Sequence, residues 1–246
     1  MPKDFEIKRK VLIKYNGKSK NPVIPEGIRK IGKCAFEAAE IDSVKIPESV
    51  TEIGTDAFRG SDIREIEIPK SVTKIEKEAF FLCQNLRKIN IPEKIAEMEE
   101  IPRIFCVCKR LEEVELSENM PRACGILSGT GIKKAELLPT ETEIKPLAFI
   151  GCWKLREVII PEGVTKIGYG AFATCESLRK IVLPEGMTEI DDKAFYGCRN
   201  LRTVVVPKSL KHVGISSFTD CPNLGVRTIS KIENLGKSIF AGDGWD

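Results

Sequence analysis

The chain has 246 residues, 42% apolar and 30% charged, with 39 Lys and Arg against 36 Asp and Glu, nine cysteines and one histidine. Its formal charge of +3 argues against a nucleic-acid partner. A single histidine removes most histidine triads, two-histidine acid–base pairs and HExxH metal sites; no Gly-x-Gly-x-x-Gly or Walker loop is present, and no apolar run approaches the roughly 18–20 residues that span a bilayer.

In chain order, Met1–Lys8 carries charge where a secretory leader would carry an apolar run, so the expected setting is cytoplasmic, with a cell-surface or secreted setting the alternative if a leader was removed. Phe5–Ile7 and Val11–Tyr15 flank a charged bend and predict a hairpin-like N-terminal cap over residues 1–22. From residue 23 the chain repeats itself every 21 to 25 residues. One apolar column runs Ile24, Ile46, Ile68, Ile91, Leu116, Leu137, Ile160, Leu183, Val206 and, more weakly, Ile229, with proline following seven of these. A second column lies seven residues on: Ile31, Ile53, Ile75, Met98, Ile144, Ile167, Ile190 and Val213. A third is aromatic: Phe36, Phe58, Phe80, Phe105, Phe149, Phe172, Phe195, Phe218 and Phe240.

Each column has a physical reading. Leu86–Ile91 alternates apolar and polar residues, the pattern of a short strand with one buried face. Proline ends it, having no N–H for a ladder. Val164–Gly168 reads as a second short strand, and Ala171–Phe172 as the start of a tight, helical corner driving a ring into the stack. A single turn cannot bury these groups but stacked neighbours can, so the period predicts a solenoid of parallel strands. The expected organisation is nine to ten turns over 23–230, irregular near 96–131, then a C-terminal cap or tail over 231–246.

Pro161–Ile181, Pro-Glu-Gly-Val-Thr-Lys-Ile-Gly-Tyr-Gly-Ala-Phe-Ala-Thr-Cys-Glu-Ser-Leu-Arg-Lys-Ile, resembles the repeat of BspA-type leucine-rich-repeat proteins, and the resemblance extends over about residues 22 to 240. It implies a right-handed leucine-rich-repeat solenoid, rich in short strands with helical or 3-10 corners. It also implies protein–protein recognition and adhesion, often at microbial cell surfaces, with neither catalysis nor a cofactor.

Cys83, Cys108, Cys152, Cys175, Cys198 and Cys221 each follow a column phenylalanine by three residues, the placement of small buried thiols rather than of disulfides or a zinc site. Function must then reside in the positions that vary. Three before the first anchor, Glu65, Lys88, Glu113, Lys134, Glu157 and Lys180 alternate in sign over six turns, a pattern that pins strand register. One position earlier, Arg64, Arg87, Glu112, Lys133, Arg156, Arg179 and Arg202 make a basic margin interrupted at Glu112. Two after the anchor, Glu26, Glu48, Glu93, Glu118, Glu162 and Glu185 make an acidic one, broken by Lys70 and Lys208. Directly before the anchor the column is polar early and apolar late: Lys45, Glu67, Asn90, Glu115, Glu136, then Ile159, Val182, Val205. Trp153 replaces polar residues found at its position in other turns. The reading is a monomeric, non-enzymatic interaction scaffold or adhesin. Arg156, Arg179, Arg202, Ile159, Val182, Val205 and Trp153 are its candidate contacts with a protein partner, an acidic one fitting the arginines. A spacer without ligand and a carbohydrate or anionic-polymer binder are the alternatives.

Overall fold

The computed structural model describes residues 4–97, 104–105, 107–116, 118–122 and 124–240, a β-solenoid of parallel strands with little helix. The chain divides into two compact units, Met1–Met120 and Pro121–Asp246.

The first unit opens with an antiparallel hairpin, β1 (Phe5–Lys8) and β2 (Val11–Tyr15). Strands of two or three residues follow: β3 (Lys30–Ile31), β4 (Glu52–Ile53), β5 (Glu65–Ile66), β6 (Lys74–Ile75), β7 (Lys88–Asn90) and β8 (Glu113–Glu115). They form two sheets, ordered β1-β2-β3-β4-β6 and β5-β7-β8. The hairpin covers the first turn because β2 continues as a parallel rung onto β3.

The second unit repeats the plan with β9 (Lys134–Glu136), β10 (Glu143–Ile144), β11 (Glu157–Ile159), β12 (Lys166–Ile167), β13 (Lys180–Val182), β14 (Glu189–Ile190), β15 (Thr203–Val205) and β16 (His212–Val213). One sheet runs β10-β12-β14-β16, and β9 pairs with β11 and β13 with β15 beside it. The middle residue of each three-residue strand faces the core: Ala135, Val158, Ile181 and Val204 are buried while their neighbours are exposed.

The corners explain the aromatic column. Among the described residues, those two before and two after each column phenylalanine sit at positive φ, as with Cys34 (55°) and Ala38 (53°) around Phe36, or Leu147 (60°) and Gly151 (71°) around Phe149. In the Phe149 corner the N–H groups of these positions and of the ring residue donate to the next turn, Leu147 to Tyr169 O at 2.9 Å, Phe149 to Ala171 O at 2.7 Å and Gly151 to Ala173 O at 2.9 Å, and the Phe36, Phe172 and Phe195 corners repeat the pattern. The intervening N–H groups close i→i−3 bonds, so the corner is a row of tight turns rather than a continuous helix. Left-handed backbone costs a residue other than glycine about 1–2 kcal/mol. The inter-turn bonds and a fully buried ring offset it. Phe36, Phe58 and Phe80 stack at 5.0 Å within 7° of parallel, and Phe149, Phe172, Phe195 and Phe218 at 5.1–5.3 Å within 12°. Leu127 stands in a ring's place, buried between positive-φ Gly125 and Gly129, so the corner survives the loss of its aromatic.

Below the rings runs the thiol column. Cys83, Cys108, Cys152, Cys175, Cys198 and Cys221 are buried, and each Sγ–H donates to the main-chain carbonyl of the ring position one turn earlier at 2.9–3.2 Å. Every described cysteine is free; Cys106 lies outside the described residues, as does Met98 of the second anchor column. Burial pushes the Cys152 and Cys221 thiols up to about 12 and raises Cys175 and Cys198 between them as well.

In the last turn α1 (Val226–Ile232) takes the place of a strand; it contains Ile229, the weakest member of the first anchor column, so the strand expected there is a helix. Thr228 Oγ1 accepts from Val204 N–H (3.2 Å) and donates to Val204 O (3.3 Å), so one side chain does what the next strand's backbone would have done. Asn90 plays a similar part at β5, its amide accepting from Ile68 N–H at 2.6 Å and donating to Ile68 O at 2.8 Å.

Candidate functional site

The outward side chains of the strands are what a solenoid offers a partner, and the two units offer different ones. In the first unit, the alternating column pairs Glu65 with Lys88 and Lys88 with Glu113 in register. The lysine ammonium, however, sits 2.7 Å from Glu115, one residue pair diagonal to the expected partner, since a long side chain reaches across the rung. That contact raises the Lys88 pKa. At the margin, Arg64 Nε lies 3.2 Å from Asp42 and Lys20 pairs with Glu40 at 3.1 Å. A shallow polar hollow of about 290 Å³ lies among Asn21, Asp42, Ser43, Arg64, Glu65, Arg87 and Lys88.

In the second unit, Lys134 stands opposite Glu157 and 3.4 Å from it, but Lys180 stands opposite Thr203, where the alternation ends. Beside this column Ile159, Val182 and Val205 point outward, 39%, 49% and 41% exposed, and Val182 pairs directly with Val205. At the strand entries stand Arg156, Arg179 and Arg202, all exposed. Among the described residues no carboxylate lies within 4.0 Å of these three guanidinium groups. Arg202 N–H donates to Arg179 O at 2.9 Å, which holds two of the like charges on successive turns, while Arg156 N–H donates to Lys133 O at 2.9 Å. Six of the seven sequence-derived candidates therefore occupy one strip of β11, β13 and β15. Trp153 stands apart, in the turn four residues before β11, half-buried with Lys154 Nζ 4.9 Å from its ring centroid.

The other sheet holds alternating charge that a count from the first anchor misses. Lys30, Glu52 and Lys74 oppose one another on successive rungs of one unit, and Glu143, Lys166, Glu189 and His212 on those of the other. The signal stands in the sequence one residue before the second anchor. Lys30 bridges Glu52 and Glu76 at 3.2 Å each, and Lys166 bridges Glu189 (3.0 Å) and Asp191 (3.4 Å). Thr55 hydroxyl and N–H, at 2.8 and 2.9 Å, hold the Glu76 carboxyl down to about 2, with Lys30 assisting. These groups satisfy one another and leave little for a ligand. Among the described residues no His, Cys, Asp and Glu cluster could hold a metal ion, and no helix is long and apolar enough to cross a membrane.

A family model for the BspA type leucine rich repeat region, in six copies, matches residues 7–123 and 127–244. The chain belongs to the BspA-type leucine-rich repeat family. Solved structures of similar proteins include a leucine-rich repeat protein from Bacteroides ovatus, 27% identical, with a TM-score of 0.41 over 82% of this chain and 70% of that one. One from Eubacterium ventriosum is 21% identical, with a TM-score of 0.57 over 83% of this chain and 64% of that one. The pneumococcal vaccine antigen PcpA is 22% identical, with a TM-score of 0.56 over 83% of this chain and 60% of that one. The last two share the leucine-rich-repeat fold, and this chain spans less than two thirds of either. No curated protein matches the sequence.

Proposed function

We infer that this BspA-type repeat protein is a non-enzymatic interaction scaffold that docks a protein partner on the outward strand face of its second unit. One observation carries the reading: three successive turns expose aliphatic side chains, Ile159, Val182 and Val205, beside three arginines that no carboxylate among the described residues pairs. Contiguous exposed apolar surface marks interfaces, and arginine at the edge of such a patch suits planar carboxylates. The repeat supplies rigidity; the varied positions supply recognition.

The test is co-precipitation with the immobilised chain from the source cells and their medium, followed by the same assay with Val182→Asp and Glu67→Lys. Val182→Asp abolishes capture and leaves the melting temperature unchanged, whereas Glu67→Lys, in the first unit's equivalent column, leaves capture intact. Equal capture by both variants, or none by the parent chain at any ionic strength, sinks the reading; the second result would make the chain a spacer.

A further inference from the structure

Resting on the docking face just described, the arrangement of its two columns also selects the shape of what lies on it. The columns run across the strands, along the stacking direction, so a ligand contacting all three rungs must present groups at the spacing of the turns. That spacing is measured by the buried rings of the same turns: Phe149 to Phe172 is 5.2 Å and Phe172 to Phe195 is 5.3 Å. An extended peptide puts same-face side chains about 6.6 Å apart and slips out of phase within two rungs. An α-helix rises about 1.5 Å per residue, so positions i, i+3 or i+4, and i+7 recur at about 5 Å and span about 10.5 Å. Helical spacing matches the rungs; extended spacing does not.

The transverse dimension agrees. Three residues separate each arginine from the aliphatic residue of its strand, roughly 10 Å of extended chain. This is about the width of a helix with its side chains. Each arginine stands just before its strand, outside the strand's alternation, at an exposed margin that follows buried Leu155, Leu178 or Leu201. A helix seated on Ile159, Val182 and Val205 therefore turns one flank toward that margin, where the long arginine side chains can meet it. Strand addition is closed off at the end of this sheet, because Thr228 already occupies the N–H and carbonyl of Val204. Recognition must come from side chains, and the three arginines, without a carboxylate partner among the described residues, suit an acidic flanking stripe. We propose that the second unit binds an acidic amphipathic α-helix of a partner protein, laid along the stacking direction, with an aliphatic stripe on Ile159, Val182 and Val205 and a Glu or Asp stripe on the three arginines.

The experiment uses three synthetic peptides of identical composition, about 18 residues long so that a helix is sustainable. One places Leu and Glu in two adjacent helical stripes, one alternates Leu and Glu as a strand would, and one is scrambled. Binding to the full chain is read by fluorescence anisotropy at about 50 and 300 mM salt. The striped peptide binds at least ~10-fold more tightly than either control. It gains helical circular dichroism when bound and weakens with salt. Arg179→Glu lowers its affinity about tenfold with a shallower salt dependence, Val182→Asp removes binding, and Arg87→Glu in the first unit changes neither. Preference for the alternating peptide, still abolished by Val182→Asp, overturns the helix while leaving the docking face standing. Striped-peptide binding indifferent to all three arginines overturns the acidic stripe. Peptide binding indifferent to Val182→Asp overturns both the inference and the face, as does a concentration-dependent dimer of the free chain that Val182→Asp dissolves.

Discussion

The two units are built from one repeat and finished differently. In the first, the open-face positions are neutralised within the chain: Lys88 pairs with Glu115, Arg64 with Asp42, and Asn90 is spent completing the hydrogen bonds of Ile68. In the second, the corresponding positions hold Ile159, Val182 and Val205 beside three arginines that nothing in the described chain neutralises. The backbones, ring stacks and thiol columns do not differ in kind. The contrast teaches that the first unit spends its open-face side chains on its own turns, whereas the aliphatic strip of the second has no such partner to serve, and that difference is what points to a use outside the chain.

The sharpest test of sameness underneath is to empty the ring column in each unit. Phe58 and Phe172 are both fully buried and stacked on both sides. Replacing either by Ala costs about 3–5 kcal/mol in urea denaturation. A loss confined to one unit would show that the two cores are not equivalent. A finer break concerns the glycine that ends the second strand. A Cβ on Gly168 would lie 2.7 Å from Pro146 N and 2.9 Å from Ile144 O, whereas on Gly54 the nearest atoms are backbone at 3.1 Å. Gly168→Ala should cost about 1–3 kcal/mol by overpacking, with Gly54→Ala clearly milder in the same melts.

Acid separates the units in another way. Glu76 titrates at about 2 in the folded chain against an ordinary 4.5. Its folded value is depressed, so its stabilisation is present above pH 4.5 and is lost as the pH falls from there through about 2. Glu76→Gln should remove on the order of 1–2 kcal/mol at neutral pH, the full linkage being reduced by solvent screening. The variant's stability should then be flatter than the parent's between pH 4.5 and 2. An unchanged acid limb would show that the Thr55 and Lys30 contacts do not persist in solution.

What was legible in the sequence follows from how often each feature is repeated. The strands, the rings and the thiols recur turn after turn, so their columns announce themselves, and the opposite charges of Glu157 and Lys134 could be aligned by counting. The exposure of Ile159, Val182 and Val205 was legible too, because alternation in a strand assigns a face. Features that occur once were not. Glu76 takes a position that is glycine in Gly54 and Gly168, and only the folded chain shows it reaching back to Thr55. Thr228 standing in for a strand depends on α1, which no column foretells. The left-handed corners escaped notice because residues as unlike as Cys34, Glu78 and Lys193 adopt them; backbone hydrogen bonding between turns imposes the conformation, and residue identity does not.

The smallest expected effect on folding is also the one that divides the two faces most cleanly. Asn90 and Val182 occupy the same column, one in each unit, and their residues can be exchanged. Asn90→Val leaves the N–H and carbonyl of buried Ile68 without the side chain that serves them, a loss of about 1–2 kcal/mol. Val182→Asn changes an exposed side chain on a surface already 49% open to water, and its stability should stay within about 0.5 kcal/mol of the parent. Binding should divide the other way, with Asn90→Val leaving capture of the partner intact and Val182→Asn losing it. Chemical denaturation and the capture assay, run on the same two variants, decide the matter. If Val182→Asn destabilised the chain as Asn90→Val does, the aliphatic strip would belong to the core, and the second unit's face would be structural like the first.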